Sequence, residues 1–556
     1  MRFVGLVMSL MIIGSLWLAA PTVAQQETER CLLLIDFGDG TLRWAEVEVT
    51  EGMSAFNVTI NGAESLGLTV DYVESSYGVF VNGIGGVAGN WPNEWWHLWI
   101  WDSPAEEWEM AMLGAADVPA QGLTALAWSY AMDREDFSSE KPLATPDMQY
   151  PWTSFRHDIR NSAWSQSESP IEGVVNLDLN LSNGPISTSP VVADGRIYAV
   201  TSGIYDYTSM AYDSNATLTC LDESGEELWI SQISGAWGFQ IASPLLTDSL
   251  VVVPATDAKL YAFDRFTGTE RWRADVGSAG SLLTSSPILY RNQIIIGSGD
   301  GSVHSFDLNG GLLWRTEVSS AIYFSSPAAR DGVVYIGCEE GKLHAVQANG
   351  TGELWNVTVN ASGRVRSAPL LLDAEIVVTY SIYEGFVAID GGAVALSYDG
   401  DRLWEIRTNA TSTSAAAAPG GIVVSSDDGL TFLNTDGDVV WTRSLGSPVK
   451  GSPAVSENGM YVTTHDQLSM VYAVDFSGNV MWSSSLEPAQ YSMCSPTISD
   501  GVVYVTSDNG HLYAFVQAEP KDDGSSLIVI LVVFGILFTV LLIAAVGNWI
   551  GSRRQD

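Results

Sequence analysis

The sequence predicts a mainly β protein: an eight-bladed β-propeller, preceded by a small N-terminal α+β domain and followed by one C-terminal transmembrane helix. Three observations predict it. A small residue followed by proline opens an apolar run eight times, at Pro190, Pro244, Pro287, Pro327, Pro369, Pro419, Pro453 and Pro496. Seven of these units close on a tryptophan, Trp229, Trp272, Trp314, Trp355, Trp404, Trp441 and Trp482, with gaps of 43, 42, 41, 49, 37 and 41 residues, the period of a four-stranded blade. Residues 527–550 form a 24-residue, mostly apolar stretch, about 36 Å long as a helix and so long enough for a ~30 Å hydrocarbon core.

Taken in chain order, Arg2 precedes an apolar run over residues 3–20, and Pro21, Thr22, Val23 and Ala24 follow it. This is the form of a secretory signal peptide over 1–24. No cysteine stands directly after Ala24, where Gln25 follows, which argues against a lipoprotein. Residues 27–131 carry the N-terminal domain, with short strands around one helix at 54–66 and a dense set of tryptophans including Trp44, Trp91, Trp95, Trp96, Trp99, Trp101, Trp108 and Trp128. Most of these are expected to fill the core of a small domain, with Trp91 and Trp101 the candidates for exposed sugar or peptide contact. Residues 132–150 are acidic and read as a linker.

Within the propeller, 151–517, each proline is followed by a β-branched run such as Val333-Val334-Tyr335-Ile336-Gly337. An alternating strand such as Leu260-Tyr261-Ala262-Phe263-Asp264 comes next, then a glycine turn. The eighth unit stops at Gln517, one strand short. Residues 174–179 form an orphan strand upstream of the first unit, and pairing the two closes the ring. An open array would leave two unpaired sheet edges. After a spacer at 518–526 comes the helix at 527–550 and a tail at 551–556. Asp522 and Asp523 precede the helix and Arg553 and Arg554 follow it, so charge bias places the tail in the cytoplasm and the preceding region outside the cell. The expected location is the cell membrane, single-pass. In that setting Asn57, Asn180, Asn215, Asn349, Asn356, Asn360 and Asn409 are glycosylation candidates.

Composition narrows the function. The chain holds 25 Lys+Arg against 65 Asp+Glu, a formal net charge of −40, so its surface repels nucleic acid, which is bound through clustered cations. Four scattered cysteines, Cys31, Cys220, Cys338 and Cys494, allow three full pairings and form no disulfide framework. His304 and His344 share one position in consecutive units, but Tyr261, Tyr472 and Tyr513 fill it elsewhere, which makes both histidines planar fillers. Asp300-Gly301 and Asp436-Gly437-Asp438 lack the spaced ligands of a calcium loop and read as hairpin turns.

The Ser-Pro openings, the strands at 260–264 and 471–475, the Asp-x-x-Gly turns and Glu353-Leu354-Trp355 together resemble the pyrroloquinoline-quinone-type repeats of eight-bladed propellers. The lead-in Phe155-Arg156-His157-Asp158 resembles the start of such propellers. That family includes quinoprotein dehydrogenases and non-catalytic relatives such as the outer-membrane assembly lipoprotein. In the dehydrogenases the resemblance implies a quinone held against adjacent half-cystines, a calcium ion on carboxylate and amide oxygens, and an Asp base. Here no two cysteines are adjacent, and each is read as a small core residue. Residues 77–84, 95–99 and 126–130 resemble the transcobalamin C-terminal-like domain, a module of surface and secreted proteins that in corrinoid carriers helps cover cobalamin.

The expected function is therefore a non-catalytic cell-surface binding or scaffold protein with protein or glycan partners, no cofactor and no metal. A quinone-dependent dehydrogenase is the alternative, and corrinoid or other small-ligand capture the second. Residues just before the proline anchors should surround one end of the central channel. They include Trp237, Gln240, Phe324, Arg364, Arg366, Lys450 and Met493 as ligand-face candidates. Three cations among them, on so acidic a chain, suit a small anion or an acidic peptide, unless nearby carboxylates neutralise them. The segments at 204–216 and 383–391 lengthen two blades and are further candidates for partner contact.

Overall fold

In a computed structural model of the chain, the described residues are 29–519 except 76–77, 91–93, 133–138, 207, 234–239, 278–280 and 386. The expected signal peptide at 1–24, the apolar stretch at 527–550 and the tail at 551–556 lie outside them. Among the described residues no helix is long and apolar enough to cross a membrane. The single named helix, Ala55–Ser65, has 11 residues, about 16 Å of rise against the ~30 Å required.

That helix starts where the chain supplies a cap. The Ser54 hydroxyl accepts from the Asn57 amide, and Asn57 Oδ1 accepts from the Ser54 amide at 2.9 Å, a reciprocal closure of two otherwise unpaired N–H groups. Ala55, Val58, Thr59, Gly62 and Ala63 form its buried face, at the spacing of one side of a helix. This face lies on a five-stranded sheet in which Arg30–Asp36 and Ala125–Ala131 pair in parallel. The tryptophans are mostly interior: Trp96, Trp99, Trp101, Trp108 and Trp128 are buried. Trp101 is thus not the exposed contact residue expected, because it packs edge-on against Trp108 at 5.1 Å and is only 9% exposed.

Burial obliges each indole N–H to find an acceptor. Trp128 donates to Thr59 Oγ1 at 2.8 Å, Trp99 to Ser129 Oγ at 2.8 Å and Trp108 to the Ala144 carbonyl at 2.8 Å. The last of these, with Trp44 donating to the Gln149 carbonyl at 3.1 Å, pins the stretch expected to be a linker. Ala144 and Met148 are buried, so the described end of that stretch is a packed strap between the two parts of the molecule.

From residue 173 onward the fold is propeller-like. Among the described residues, eight antiparallel sheets of at least four strands follow one another. In the second, Leu245–Leu246, Leu250–Ala255, Lys259–Asp264 and Glu270–Asp275 lie side by side. Its second strand is buried at every position, whereas its outermost alternates half-buried and exposed. A strand covered on both faces must be continuously apolar, and a half-covered one alternates. That is why the β-branched runs and the charged Trp strands look so different in sequence.

The tryptophan and glycine motifs are two halves of one contact. Trp272 lies against Gly310 of the next sheet, where an added Cβ would sit 2.7 Å from the ring, and donates to the Leu308 carbonyl at 2.8 Å. Gly310 has φ +83°, a conformation side chains resist, so only glycine provides both the turn and the room. Trp441 repeats the arrangement with Gly478 and the Phe476 carbonyl, at 2.9 Å.

The eighth sheet is completed from upstream. Gly173–Asn180 pairs antiparallel with His511–Gln517, with Leu177 opposite Ala514. Leu177 takes the place that Trp482 holds opposite Ala473 in the seventh sheet. It packs under Gly225, where a Cβ would lie 2.6 Å away, which explains the missing eighth tryptophan. If this inter-sheet contact carries the stability, Trp272→Ala should cost about 3 kcal/mol by urea unfolding. Trp272→Leu, which copies Leu177, should cost less than half as much; equal losses would contradict the assignment.

Candidate functional site

The first strands of the sheets surround an axial channel, and their entry residues tie neighbouring sheets together. The Ser189 amide donates to Ser243 Oγ, Ser243 to Ser286 Oγ and Ser286 to Ser326 Oγ, at 2.9–3.0 Å. Ala368 donates to Ser414 Oγ, Ser414 to Ser452 Oγ and Ser452 to Ser495 Oγ, each at 2.9 Å. Ser495 then donates to Ser189 Oγ at 3.1 Å, so the series returns to its start. At the one junction where Ala368 replaces serine, Ser325 Oγ donates to the Ser367 carbonyl at 2.8 Å instead. Ser414 precedes Ala415, and Pro419, expected to open that unit, lies beyond the strand Ala416–Ala418; at the other six positions the serine of the Ser-Pro motif is the sheet-to-sheet clamp. The proline beside it lacks an N–H that the axis could not have satisfied.

One end of the channel is closed by the lead-in segment. Trp152 pairs with Val192, and the carbonyls of Thr153, Ile159, Arg160, Ser162 and Ala163 accept from Leu246, Ala329, Leu371, Ala417 and Val455 in succession. The buried Arg156 sends Nη1 to the Pro453 carbonyl at 2.5 Å and Nη2 to the Ala415 carbonyl at 2.7 Å. Asn161 Nδ2 bridges the carbonyls of Pro327 and Pro369, both at 3.1 Å. Four non-glycine residues here, Arg156, His157, Asn161 and Ala163, have positive φ, a strain of about 1–3 kcal/mol each that persists only where the surroundings over-determine it. Residues 155–158, which resemble the start of such propellers in sequence, act here as part of a plug. A lone arginine-aspartate pair at a domain entrance was the available signal.

Electrostatics hold the plug. Burial pushes the Arg156 guanidinium down to about 9, which leaves it charged at neutral pH. Burial alone would raise the Asp158 carboxyl, but hydrogen bonds from His157 and Ser162 outweigh it and hold the group below the usual range. The N-terminal domain bears on the same segment through Asp39, which pairs with Arg160, and on the third sheet through Glu94, which takes both Nε and Nη2 of Arg291 at 3.0 and 2.9 Å.

Above the plug lies a cavity of about 290 Å³, floored by Phe155 and the ring serines and lined at its mouth by Phe324, Arg366, Tyr383, Lys450, His465 and Met493. Four of the residues named from sequence, Phe324, Arg366, Lys450 and Met493, therefore meet around one space. Gln240 does not join them. It is buried and donates to Thr256 Oγ1 at 2.9 Å, because its strand entry turns toward the sheet. Arg364 stays outside the lining, over the Tyr383 ring at 4.7 Å. Trp237 lies outside the described residues.

The cations carry carboxylate partners. Arg366 is held by both oxygens of Glu339, at 2.6 and 2.9 Å, and Arg364 reaches the same carboxylate at 3.3 Å. Lys450 pairs with Asp427. Two carboxylates thus serve three cations. The Arg366 guanidinium lies 5.4 Å from the Phe324 ring and 4.8 Å from the Tyr383 ring, a planar stack held in place before any partner arrives.

The other expected sites stay apart. His304 faces Asp300 at 3.5 Å in the third sheet, while His344 sits between Glu353, 2.5 Å away, and Cys338 Sγ, at 3.3 Å, in the fourth. Burial raises the Cys338 thiol, but hydrogen bonds from His344, Ser320 and Ser319 reverse this and bring it to about 7. Among the described residues no three metal-ligating side chains come together. All four cysteines are buried and unpaired, and they are spread over the N-terminal domain and three sheets. They do not fit a quinone seat of adjacent half-cystines. Of the sequon asparagines, Asn57, Asn180, Asn349, Asn356 and Asn409 are exposed, and Asn215 and Asn360 are half-buried.

The repeat family described as outer membrane protein assembly factor BamB matches the chain in four overlapping stretches, residues 161–323, 214–391, 299–417 and 390–516. Proteins of that name from Moranella endobia (strain PCIT) and Yersinia pestis are 24% identical over 198 and 225 residues. These matches cover 33% and 36% of the chain and 48% and 57% of those proteins, so the chain spans about half the length of the curated relatives it matches. Among solved structures, the quinohemoprotein alcohol dehydrogenase from Comamonas testosteroni is similar with a TM-score of 0.52 and 13% identity, over 67% of this chain and 82% of that one. That is a likeness of fold alone.

These findings correct the expected location. The matched relatives are named for the outer membrane, and no helix among the described residues can cross a membrane. The placement as a single-pass cell-membrane protein with an extracellular N-terminal region is overturned. That expectation rested on the hydropathy of residues 527–550 and on the charges flanking them, which lie outside the described residues.

The plug makes a signed prediction. Because the folded Asp158 carboxyl titrates below its unfolded value near 4, it contributes stability above that pH and loses it as the pH falls further. Asp158→Asn should lower the melting temperature at pH 7 and narrow the gap to the native protein as pH drops from about 5 toward 2. A gap that stays constant with pH would remove Asp158 from this role.

Proposed function

The chain belongs to the family of PQQ-like repeat proteins described as outer membrane protein assembly factor BamB, and from that premise we propose that it is a non-catalytic protein-interaction scaffold. In this reading the eight sheets are the blades of a closed propeller, and residues 27–131 form a module similar to the transcobalamin C-terminal-like domain. The face at the open end of the channel receives a protein partner. The hydrogen-bond series that returns to Ser189 supports the closed ring. The plug and the N-terminal domain occupy the opposite end, which leaves one open mouth.

One observation carries the docking face: the stack of Phe324, Arg366 and Tyr383 beside exposed Tyr491 and Met493, which are 39% and 36% exposed. Aromatic residues and arginine, rigid and partly desolvated, dominate binding energy at protein interfaces. Phe324 also holds φ +65°, a strained setting for an aromatic residue that projects it toward the mouth. The long hairpin of Ile376–Glu384 and Val387–Leu396 extends the same rim and supplies Tyr383.

A photo-crosslinker in place of Met493 should capture a protein of the outer-membrane assembly apparatus in cells. Phe324→Ala with Arg366→Ala should reduce that adduct at least tenfold while the melting temperature changes little. An undiminished adduct in the double variant, or adducts formed only from the outermost strands, would move the interface elsewhere.

A further inference from the structure

We propose that the axial cavity is a binding site for a small oxyanion of the carboxylate type. The proposal goes beyond protein docking at the mouth, because it needs no macromolecular partner. It starts from the hydrogen-bond inventory of the ring. Seven serine hydroxyls, on Ser189, Ser243, Ser286, Ser326, Ser414, Ser452 and Ser495, each accept one backbone N–H. All seven are more than nine-tenths buried, and all line the cavity. Six of these hydroxyls donate to no protein acceptor among the described residues, the exception being Ser189, which bonds the Cys494 side chain, although a hydroxyl carries a proton as well as lone pairs. Accepting an N–H polarises the O–H and makes it a better donor. The floor of the cavity is thus a ring of donors, six of them lacking acceptors.

The sign of the ligand follows from what else lines the space. Its charged members are Arg366 and Lys450, its other titratable ones His465 and Tyr383, and the lining includes no Asp or Glu, although the chain has 65 acidic residues and only 25 Lys+Arg. Three carboxylates lie nearby outside the lining, and each is committed: Glu339 to Arg364 and Arg366, Asp427 to Lys450, and Asp508 to the Ser187 hydroxyl, which donates to it at 2.6 Å. A cation would meet protons and positive side chains, whereas an oxyanion would meet donors from the floor and charge from the rim, the charge-assisted bonds that are strongest. The volume, about 290 Å³, is at the small end of ligand pockets, so the ligand is a small acid or the carboxylate end of a chain. Structural need alone does not require the hydroxyl protons, since Ala368 occupies the same place and the ring still closes through Ser325.

Titration calorimetry of the full chain at low salt tests this. The probes are sodium succinate, a tripeptide with a free C-terminal carboxylate and, as neutral controls, succinamide and the tripeptide amide. Saturable binding of either acid without its amide is expected. Tighter binding of succinate assigns the site to free small acids, and tighter binding of the tripeptide assigns it to chain ends. Ser243→Ala with Ser452→Ala should weaken binding about tenfold, as should Lys450→Gln, while Arg271→Gln on the outer rim should leave it unchanged. Melting curves check that each variant is folded, and Lys450→Gln decides the matter if the serine variant is not. No saturable heat from either acid, equal binding of the amides, or unchanged affinity in the folded variants would overturn the proposal. None of these outcomes depends on the crosslinking result at Met493.

Discussion

One small bond sets the geometry of the ring: a serine hydroxyl accepting the backbone N–H of the neighbouring sheet, repeated around the axis until Ser495 reaches Ser189. Near the axis of a radial array the strands crowd, and entering backbone amides have no room for a ladder partner of their own. An unmade hydrogen bond at a buried amide costs about 1–3 kcal/mol, so each unit needs a short acceptor at one fixed place. Serine followed by proline meets this need with minimal bulk. At larger radius the sheets diverge, and the gap is filled by tryptophan lying beneath the glycine of the next turn.

These two demands, inner and outer, are also why the repeat was legible. Ser-Pro and Trp recur because most junctions have the same crowding inside and the same gap outside, with Ala368, Ser414-Ala415 and Leu177 as the exceptions. Residues 174–179 were recognisable as the missing strand because an orphan strand and an unfinished unit stood at opposite ends of one repeat. Leu177 in place of tryptophan hid nothing, since period and count had already located it. The buried Trp101, by contrast, could not be told from an exposed one, because indoles that fill a small core and indoles that face solvent look alike in a short strand. The packed strap at residues 139–150 was hidden because its anchors are backbone carbonyls, which have no signature in side-chain type.

The candidate site shows the same division. Phe324, Arg366, Lys450 and Met493 were placed together by a positional rule, that residues just before the anchors ring the mouth, and they line one cavity. Gln240 and Arg364 obey the rule in sequence but not in space, since one side chain folds back on its own sheet and the other lies over Tyr383. The plug escaped notice because its work is done by carbonyls and by positive-φ residues that composition does not mark. One end is closed by residues 152–165 and bonded to the N-terminal domain, and at the other Phe324, Arg366, Tyr383 and Lys450 line one cavity.

All of this requires that the first strand of the repeat region close on the last. The most direct measurement is a cysteine pair at two facing positions, Asn180→Cys with His511→Cys, which are Cα partners across the closing edge. Oxidised at low concentration, the variant should form an intramolecular link, detected as a single bridged peptide by mass spectrometry, with its β-sheet spectrum unchanged. Links that form only between molecules, or no link between these residues in folded protein, would contradict the closed ring and the channel built on it.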